Sequence, residues 1–341
     1  MRKSLGKWLI GIGVATILVA VGYYFWPRGW MDPKGEEKEK IEQSLLRYDF
    51  DSLRQSSIYK LQSAGNFKIL GNLKPVEDRR KQQKLKYDRQ FDTREISFES
   101  DGKKVSGMIN YFPEKNSLTP VIIMVRGYAE KAGYYPGSGS WRVADKLAEA
   151  GYATVSLDFL GYGNSDGESI DPLEARFHKV AEVLDLINAV KQLPWVDKTK
   201  IGIWAHSNGG QIVLSVLEIT GEKYPAVLWA PMTQPFPDSV LSTIDVDSPI
   251  KQIMEDFEKH YDARRYAFEN YYQWINAPIL IQQGTIDDQV KLSWQEKVVT
   301  KLKSLDKDAT LDVYEGSDHN LTKGWKEAVE RDIGFFADNL R

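Results

Sequence analysis

Apolar segments of strand length alternate with segments of helical spacing from about residue 94 to the end of the chain. The pattern predicts a hairpin within residues 95–111 and strands at 120–125, 152–157, 200–205, 226–229, 279–282 and 310–314. It predicts helices at 141–150, 173–193, 208–220, 293–305 and 325–339. This alternation indicates an α/β fold with a doubly wound, mostly parallel sheet. Ligands bind such sheets beyond the carboxyl ends of the strands, so the candidate site is sought there.

The N-terminus departs from this alternation with an uncharged apolar run at residues 8–26. Its length matches the roughly 20 residues that a helix needs to cross a bilayer. Three basic residues precede it: Arg2, Lys3 and Lys7. The positive-inside rule therefore predicts a cytoplasmic N-terminus and an extracytoplasmic body. The alternative is a signal peptide cleaved near the small residues 20–22. Because the run continues past them through aromatic residues, we expect a single-pass transmembrane anchor within residues 1–30.

Two further segments lie outside the alternation. Residues 31–93 are polar and rich in Lys, Glu and Gln, which predicts a spacer and an N-terminal arm, with the charged stretch 78–89 as a solvated face or linker. Residues 231–276 contain four prolines and then an aromatic stretch of helical spacing. We expect this insert to lie over the strand ends as a helical cap, with most of its aromatic side chains packed onto the body. The main domain is then residues 94–341.

Composition narrows the chemistry that this fold can carry. The 341-residue chain has a formal net charge of -3 and no long basic block, so nucleic acid is not an expected partner. It has no cysteine, which excludes disulfides, thiolate nucleophiles and cysteine-ligated metals. Its 4 histidines show no HExxH or comparable spacing, and the glycine-rich segment 158–167 lacks GxGxxG and a P-loop lysine. We therefore expect neither a metal nor a cofactor.

Residues 201–210, IGIWAHSNGG, place a serine between a short apolar strand and a helix. This order is typical of a nucleophile elbow, in which a serine lies on a strained strand-to-helix turn. The turn requires small residues two positions before and two positions after the serine, here Ala205 and Gly209. Glycine is usual at the first position, so Ala205 is a mild departure. Ser207 is the candidate nucleophile, although such a pattern also arises by chance and needs support from its context.

A serine nucleophile needs a base that takes its proton and a carboxylate that orients the base. In elbow folds, the acid and then the histidine follow the serine along the chain. Asp287 comes directly after a predicted strand, with Asp288 as a rival, and His319 comes directly after the last predicted strand. The alternative for His319 is an ordinary histidine of a surface loop. His206 adjoins the serine, but neighbouring side chains on the turn point in different directions, so we expect it to be a packing residue.

The negative charge that develops on the substrate oxygen needs N–H donors. One candidate is the backbone N–H of Asn208, at the start of a helix whose dipole also favours negative charge. The second is the backbone N–H of Tyr128, in the loop that follows the strand at 120–125. Gly127 in this loop allows the backbone to approach the substrate. These two N–H groups form the predicted oxyanion hole.

Six segments together resemble the α/β-hydrolase superfamily: REISFESDGKKVSGMINY, VIIMVRGY, DFLGYGNSDG, IGIWAHSNGG, QQGTIDDQV and EGSDHN. Within it, they are most similar to the catalytic domain of the prolyl oligopeptidase family, with its dipeptidyl-aminopeptidase and acylaminoacyl-peptidase relatives. The resemblance covers residues 94–341. The family's serine falls on Ser207 and its histidine on His319. The family's G-T-x-D-x-x-V pattern matches GTIDDQV and falls on Asp287 rather than Asp288.

The resemblance implies a serine peptidase that acts on small peptides through an acyl-enzyme. Two features depart from the family. Arg126 stands where many members have histidine; it either binds a substrate carboxylate or pairs with a buried acid, and we favour the structural role. Residues 27–93 are too few for the family's β-propeller, so we expect none. Because a propeller restricts access to small peptides, an esterase on the same fold is the alternative function, and a catalytically silent tethered binding protein is a third.

Overall fold

A computed structural model describes residues 45–56, 65–87, 90–113, 117–241 and 248–340. The predicted transmembrane segment, residues 8–26, and the spacer up to residue 44 lie outside the described residues. None of the helices within the described ranges is both long enough and apolar enough to cross a membrane. The anchor therefore stays a prediction.

The described strands form a nine-stranded sheet in the order β1-β2-β3-β5-β4-β6-β7-β8-β9. Their bounds are β1 Gly65–Asn72, β2 Asp92–Ser100, β3 Lys103–Tyr111, β4 Thr119–Val125, β5 Ala153–Leu157, β6 Val196–His206, β7 Ala226–Trp229, β8 Ile279–Gly284 and β9 Ala309–Tyr314. The first three strands and β5 pair antiparallel, and the strands from β5 across to β9 pair parallel. The predicted mostly parallel sheet is confirmed.

Helices cover both faces of this sheet. Their bounds are α1 Phe50–Gln55, α2 Lys74–Gln82, α3 Trp141–Glu149, α4 Pro172–Lys191, α5 Asn208–Thr220, α6 Asp238–Leu241, α7 Pro249–His260, α8 Leu292–Ser304 and α9 Trp325–Asn339. Local chemistry sets several of their ends. The side chain of Asp171 caps α4 by accepting the N–H of Leu173 at 2.8 Å. Gly221, with φ +61°, ends α5 in the left-handed conformation that glycine adopts without steric cost.

Strand β4 shows why its sequence is continuously apolar. Residues 121–125 are fully buried, with none of their surface exposed. Ile122 and Met124 pack in a cluster with side chains of α3 and α9, whereas Val121, Ile123 and Val125 pack on the other face with side chains of α4 and α5. A strand covered on both faces has no solvent side, so the alternation of apolar and polar residues is lost.

The insert at residues 231–276 contains α6, α7 and three 3-10 turns at Ala263–Tyr266, Phe268–Asn270 and Tyr272–Trp274. Its aromatic residues pack on the body as predicted. The ring of Phe177 on α4 lies 5.1 Å from that of Phe236 and 4.8 Å from that of Tyr266. Phe257 lies 5.2 Å from Phe236 in an edge-to-face arrangement. Whether the insert also covers the site as a cap stays a prediction.

The described part of the N-terminal arm belongs to the same compact unit as the strands that follow it. β1 forms the sheet edge beside β2, and α2 follows it. The outer surface of α2 is exposed, as its charges predict, but Arg80 turns inward. Its Nε donates to Asp145 Oδ2 at 2.8 Å, and Tyr87 also donates to that oxygen at 2.6 Å. Asp145 is 1% exposed, so the charged stretch of the arm contributes a buried ion pair rather than only a solvated face.

Replacing Asp145 with Ala leaves the Arg80 guanidinium without its buried carboxylate. We expect the free energy of unfolding to fall by about 3–5 kcal/mol, because a buried charge that loses its partner is not rehydrated. Urea unfolding followed by circular dichroism measures the change. Glu330→Ala is the matched control, since it breaks the exposed Lys326–Glu330 pair and should leave the midpoint nearly unchanged. Equal losses of unfolding free energy in the two variants would show that the Arg80–Asp145 pair does not stabilise the fold.

Candidate active site

Ser207 occupies a turn between the end of β6 at His206 and the start of α5 at Asn208. Its φ is +53° and its ψ is -122°, a conformation that non-glycine residues rarely adopt. The backbone groups around it are hydrogen-bonded. The Ser207 N–H donates to the Trp229 carbonyl at 2.9 Å, and the Ser207 carbonyl accepts the N–H of Met232 at 2.8 Å. The structure therefore has the predicted elbow, held in its strained form by the neighbouring strand β7 and the loop after it.

Small residues around this turn are required by close contacts. A Cβ on Gly209 would lie 2.3 Å from the carbonyl oxygen of Val125, and a Cβ on Gly210 would lie 2.2 Å from the Cβ of Pro231. A Cβ on Gly127 would lie 2.8 Å from the Cβ of Ser207. Ala205, the departure from the usual glycine, is fully buried in β6 and fits the turn. The loop that carries Tyr128 thus passes directly against the serine.

Asp287 and His319 meet beyond the ends of β8 and β9. The Nδ1 of His319 lies 2.8 Å from Asp287 Oδ2. The other carboxylate oxygen, Oδ1, accepts the backbone N–H groups of Gln289 and Val290, each at 2.9 Å. The side chain of Asp287 is 0% exposed and that of His319 is 7% exposed. Asp288, the rival candidate, is exposed. Of the two aspartates, the structure brings Asp287 to the histidine.

The electrostatics of Asp287 favour its ionised form. Burial by itself would raise the pKa of this carboxyl, but the hydrogen bonds from His319 and from the N–H groups of Val290 and Gln289 together hold the pKa below its ordinary value. An ionised Asp287 accepts a hydrogen bond from the Nδ1–H of His319, so Nε2 carries no proton when the ring is neutral. A neutral imidazole in this tautomer has Nε2 free to accept a proton.

His206 connects the elbow to the loop of His319. The two imidazole rings lie 4.8 Å apart, and Nε2 of His206 is 3.0 Å from the backbone carbonyl of His319. Because a carbonyl only accepts, the Nε2–H of His206 is the donor. Burial, reinforced by the neighbouring His319, lowers the pKa of His206 to about 4, so it is neutral near pH 7. The sequence indicated a packing residue; the structure adds a hydrogen bond that positions the loop of His319.

Arg126 is held by the protein itself. Its Nη1 donates to the carbonyl of Gly127 at 2.8 Å, its Nε donates to the hydroxyl of Tyr134 at 2.9 Å, and its Nη2 donates to the carbonyl of Asp158. The residue is 4% exposed. Of the two roles that the sequence left open, these bonds favour the structural one, since the guanidinium fixes the loop that leads to Tyr128.

Two contacts of the site were missed by the sequence analysis. Gln283, at the end of β8, is 0% exposed and its Nε2 donates to Asp287 Oδ2 at 2.8 Å. A polar residue inside an apolar strand was the available signal. On α5, Gln211 donates to the side chain of Asn208 and accepts from Arg176 Nη2 at 2.7 Å. No sequence pattern joins these residues, because Arg176 lies on α4.

Within the described ranges, no group of three or more His, Asp or Glu side chains is placed to hold a metal ion. What the site offers is an elbow serine followed along the chain by an aspartate and a histidine, all at the carboxyl edge of a mostly parallel sheet. This fold and this order of residues are those found in serine hydrolases of the α/β-hydrolase fold.

The chain belongs to the prolyl oligopeptidase family, whose sequence profile matches residues 139–341. An uncharacterized 31.7 kDa protein of Escherichia coli is 31% identical over 103 residues, which are 30% of this chain and 34% of that protein. A protein of Aspergillus flavus named probable dipeptidyl peptidase 4 is 28% identical over 148 residues, 42% of this chain and 18% of its own length. The chain thus spans about a third of the first relative and about a fifth of the second.

Solved structures share the fold at low sequence identity. Acetyl xylan esterase 1 from Thermoanaerobacterium superposes with a TM-score of 0.58 and 15% identity, over 86% of this chain and 94% of the esterase. Dipeptidyl peptidase 4 from Porphyromonas gingivalis superposes with a TM-score of 0.56 and 19% identity, over 74% of this chain and 36% of the peptidase. Both likenesses concern the fold alone.

The glycine that follows the elbow gives a test of its packing. Gly209→Ala forces a Cβ against backbone atoms, 2.3 Å from the oxygen of Val125, so β4 or α5 must shift. We expect the free energy of unfolding to fall by about 1–3 kcal/mol, as for other overpacked positions. Gly334→Ala is the control, because a Cβ there meets no heavy atom within 4 Å and lies in helix α9. This control should gain up to about 1 kcal/mol. Equal stability of the two variants in urea unfolding would contradict the close approach at Gly209.

Proposed function

We propose that the protein is a membrane-anchored, prolyl-oligopeptidase-type serine peptidase in which Ser207, His319 and Asp287 form the catalytic triad. The Oγ of Ser207 attacks the substrate carbonyl carbon while its proton passes to Nε2 of His319. Asp287 holds the imidazole in the required tautomer and stabilises the imidazolium. His319 then gives the proton to the leaving amine, and water repeats the sequence to release the acyl group. The observation that carries the proposal is the 2.8 Å contact between His319 Nδ1 and the buried Asp287.

The backbone N–H groups of Tyr128 and Asn208 are the proposed oxyanion hole. Asn208 is the first residue of α5, where free N–H groups and the helix dipole favour negative charge. The close approach of Gly127 to Ser207 supports the part of Tyr128, since the next residue after this glycine is Tyr128. The Tyr128 side chain is 70% exposed, so the role falls to its backbone rather than to its ring.

An esterase is the second candidate function. It is kept because the whole fold of a protein named acetyl xylan esterase is matched, over 94% of its length, whereas the P. gingivalis peptidase is matched over 36%. The triad chemistry is the same for both, since an ester and an amide pass through the same acyl-enzyme. The peptidase is favoured by the family profile over residues 139–341. Hydrolysis of aminoacyl-naphthylamides, acyl-peptides and short p-nitrophenyl esters distinguishes them.

The proposed location rests on the apolar run at residues 8–26 and the basic residues before it. In this arrangement, residues 31–93 separate the membrane from the catalytic domain at 94–341, which is extracytoplasmic. Alkaline extraction tests the anchor, and protease added to spheroplasts tests the side of the domain. Release of the full-length chain at alkaline pH would contradict the anchor without bearing on the triad.

Labelling with a fluorophosphonate probe tests the nucleophile. We expect the folded wild-type protein to be labelled and Ser207→Ala to be unlabelled, because the probe bonds to an activated serine Oγ. Ser215→Ala is the control, since it removes a buried serine from α5, the helix that follows the elbow, and should keep the label. A folded wild-type protein that stays unlabelled would overturn the hydrolase mechanism.

Paired substitutions at the two adjacent aspartates test the acid. Asp287→Asn should lower kcat about 10⁴-fold, because an amide in this place favours the wrong histidine tautomer. Asp288→Asn should change kcat little, since Asp288 is exposed and outside the bond to His319. Hydrolysis of p-nitrophenyl acetate measures both. Comparable losses in the two variants would contradict the assignment of Asp287.

A further inference from the structure

A cavity of about 530 Å³ is lined in part by His206, the residue before Ser207, and by Asn320, the residue after His319. Its volume lies in the range of small-ligand sites. Four tryptophans line it: Trp141, Trp204, Trp229 and Trp325. Aromatic walls suit a planar apolar group. None of the mechanistic steps above uses this cavity.

The charges along the cavity have one sign. Arg142, Lys323 and Lys326 line it, and its lining includes no acidic side chain. Lys326 has a carboxylate near it, Glu330 at 3.6 Å, and Lys323 donates to the backbone carbonyl of Glu315 at 3.1 Å. Arg142 stacks over the ring of Trp325, with 4.7 Å between its Cζ and the ring centroid. A guanidinium in this position keeps donors for a ligand anion.

Two helix dipoles add to the positive electrostatic potential of the cavity. Helices α3 and α9 begin at Trp141 and Trp325, so both present their positive ends where these tryptophans line the cavity. His206 is neutral near pH 7 because its pKa is about 4, so it adds no charge. The cavity therefore combines aromatic walls with a net positive field, a pairing that favours an aromatic anion over a neutral aromatic ring or a cation.

The position of the cavity indicates which half of a substrate reaches it. A general acid must lie within hydrogen-bond reach of the leaving group to which it gives its proton. The base is His319, whose ring lies 4.8 Å from that of His206 in the cavity wall. The oxyanion donors proposed at Tyr128 and Asn208 are absent from the lining of this cavity. Through His206 and Asn320, the cavity adjoins His319 rather than the oxyanion donors, and the leaving group lies on the side of the general acid.

We propose that this cavity binds the leaving group of the substrate and selects leaving groups that join a planar, aromatic body to a carboxylate or similar anion. Arg142 and Lys323 contact the anion, and the tryptophan side chains of the wall border the ring. The inference rests on the proposed hydrolase function, because only a hydrolysed substrate has a leaving group. It assigns a substrate class to the site: esters or amides in which the acyl group is carried on the hydroxyl or amino group of an aromatic acid, whose carboxylate stays free.

Two matched esters test the selection. The acetyl ester of 4-hydroxybenzoate has an anionic leaving group, and the acetyl ester of methyl 4-hydroxybenzoate has a neutral one of similar shape. We expect kcat/KM, divided by the uncatalysed rate, to be about tenfold higher for the anionic ester, the ratio given by one charge-assisted contact of about 1.4 kcal/mol. The double variant Arg142→Gln, Lys323→Gln should bring this ratio close to one. Lys303→Gln, an exposed lysine of α8 outside the cavity, is the control and should leave the ratio unchanged.

Binding separates this inference from the proposed function. Calorimetric titration of the Ser207→Ala protein with 4-hydroxybenzoate should show binding that is weakened severalfold in the Arg142→Gln, Lys323→Gln background. No preference between the esters, together with no binding of 4-hydroxybenzoate, would overturn the inference. Binding that depends on Arg142 and Lys323 in a protein that neither hydrolyses esters nor takes up the fluorophosphonate would overturn the proposed function and the leaving-group role, and would support an anion site alone.

Discussion

The sharp turn at Ser207 is the constraint on which the rest of the site depends. A serine with φ +53° stores strain on the order of 1–3 kcal/mol, so neighbouring groups must hold it there. They do so from two sides: β7 accepts the Ser207 N–H through Trp229, and Met232 donates to its carbonyl. The same turn brings backbone of β4 so close that Gly127 and Gly209 tolerate no side chain. The order of the central strands β4-β6-β7 is therefore what makes the elbow stable.

Asp287 and His319 are held together in a different way, because both oxygens of the carboxylate accept hydrogen bonds. Asp287 is removed from solvent, which by itself would favour its neutral form, yet four donors surround it: Gln283, Gln289, Val290 and His319. A charge stabilised in this way needs no reorganisation when the imidazolium forms beside it. The close approach of Gly284 to the carbonyl of Ser317, 2.2 Å from an added Cβ, keeps the two loops in this relation.

Much of the fold followed from periodicity, because long buried segments carry a strong pattern. Helices α5 and α9 and strand β7 have the predicted bounds, and the Asp287–His319 contact joins two residues chosen from their place after strands. The arm was harder. β1 is an edge strand with glycine at its start, and α2 buries one apolar residue, Val76, so neither has a clear stripe. Its inward contact is an ion pair between Arg80 and Asp145, 65 positions apart, which no local pattern encodes. The hydrogen bonds that join Arg176, Gln211 and Asn208 were also missed, because no local pattern encodes them.

The sheet and the segments that connect its strands place different parts of the site. Strand ends place Ser207, Asp287 and His319, whereas the cavity beside them is walled mainly by the first turns of α3 and α9 and by the loop that follows His319. His206 belongs to both, because its ring lines the cavity and its Nε2–H holds the carbonyl of His319. A change at His206 would therefore alter the cavity wall and the position of the His319 loop together. Arg142 and Lys323 make no contact with Ser207, Asp287 or His319 among the hydrogen bonds of the described residues, so replacing them changes the charge of the cavity and leaves these three side chains and their bonds in place.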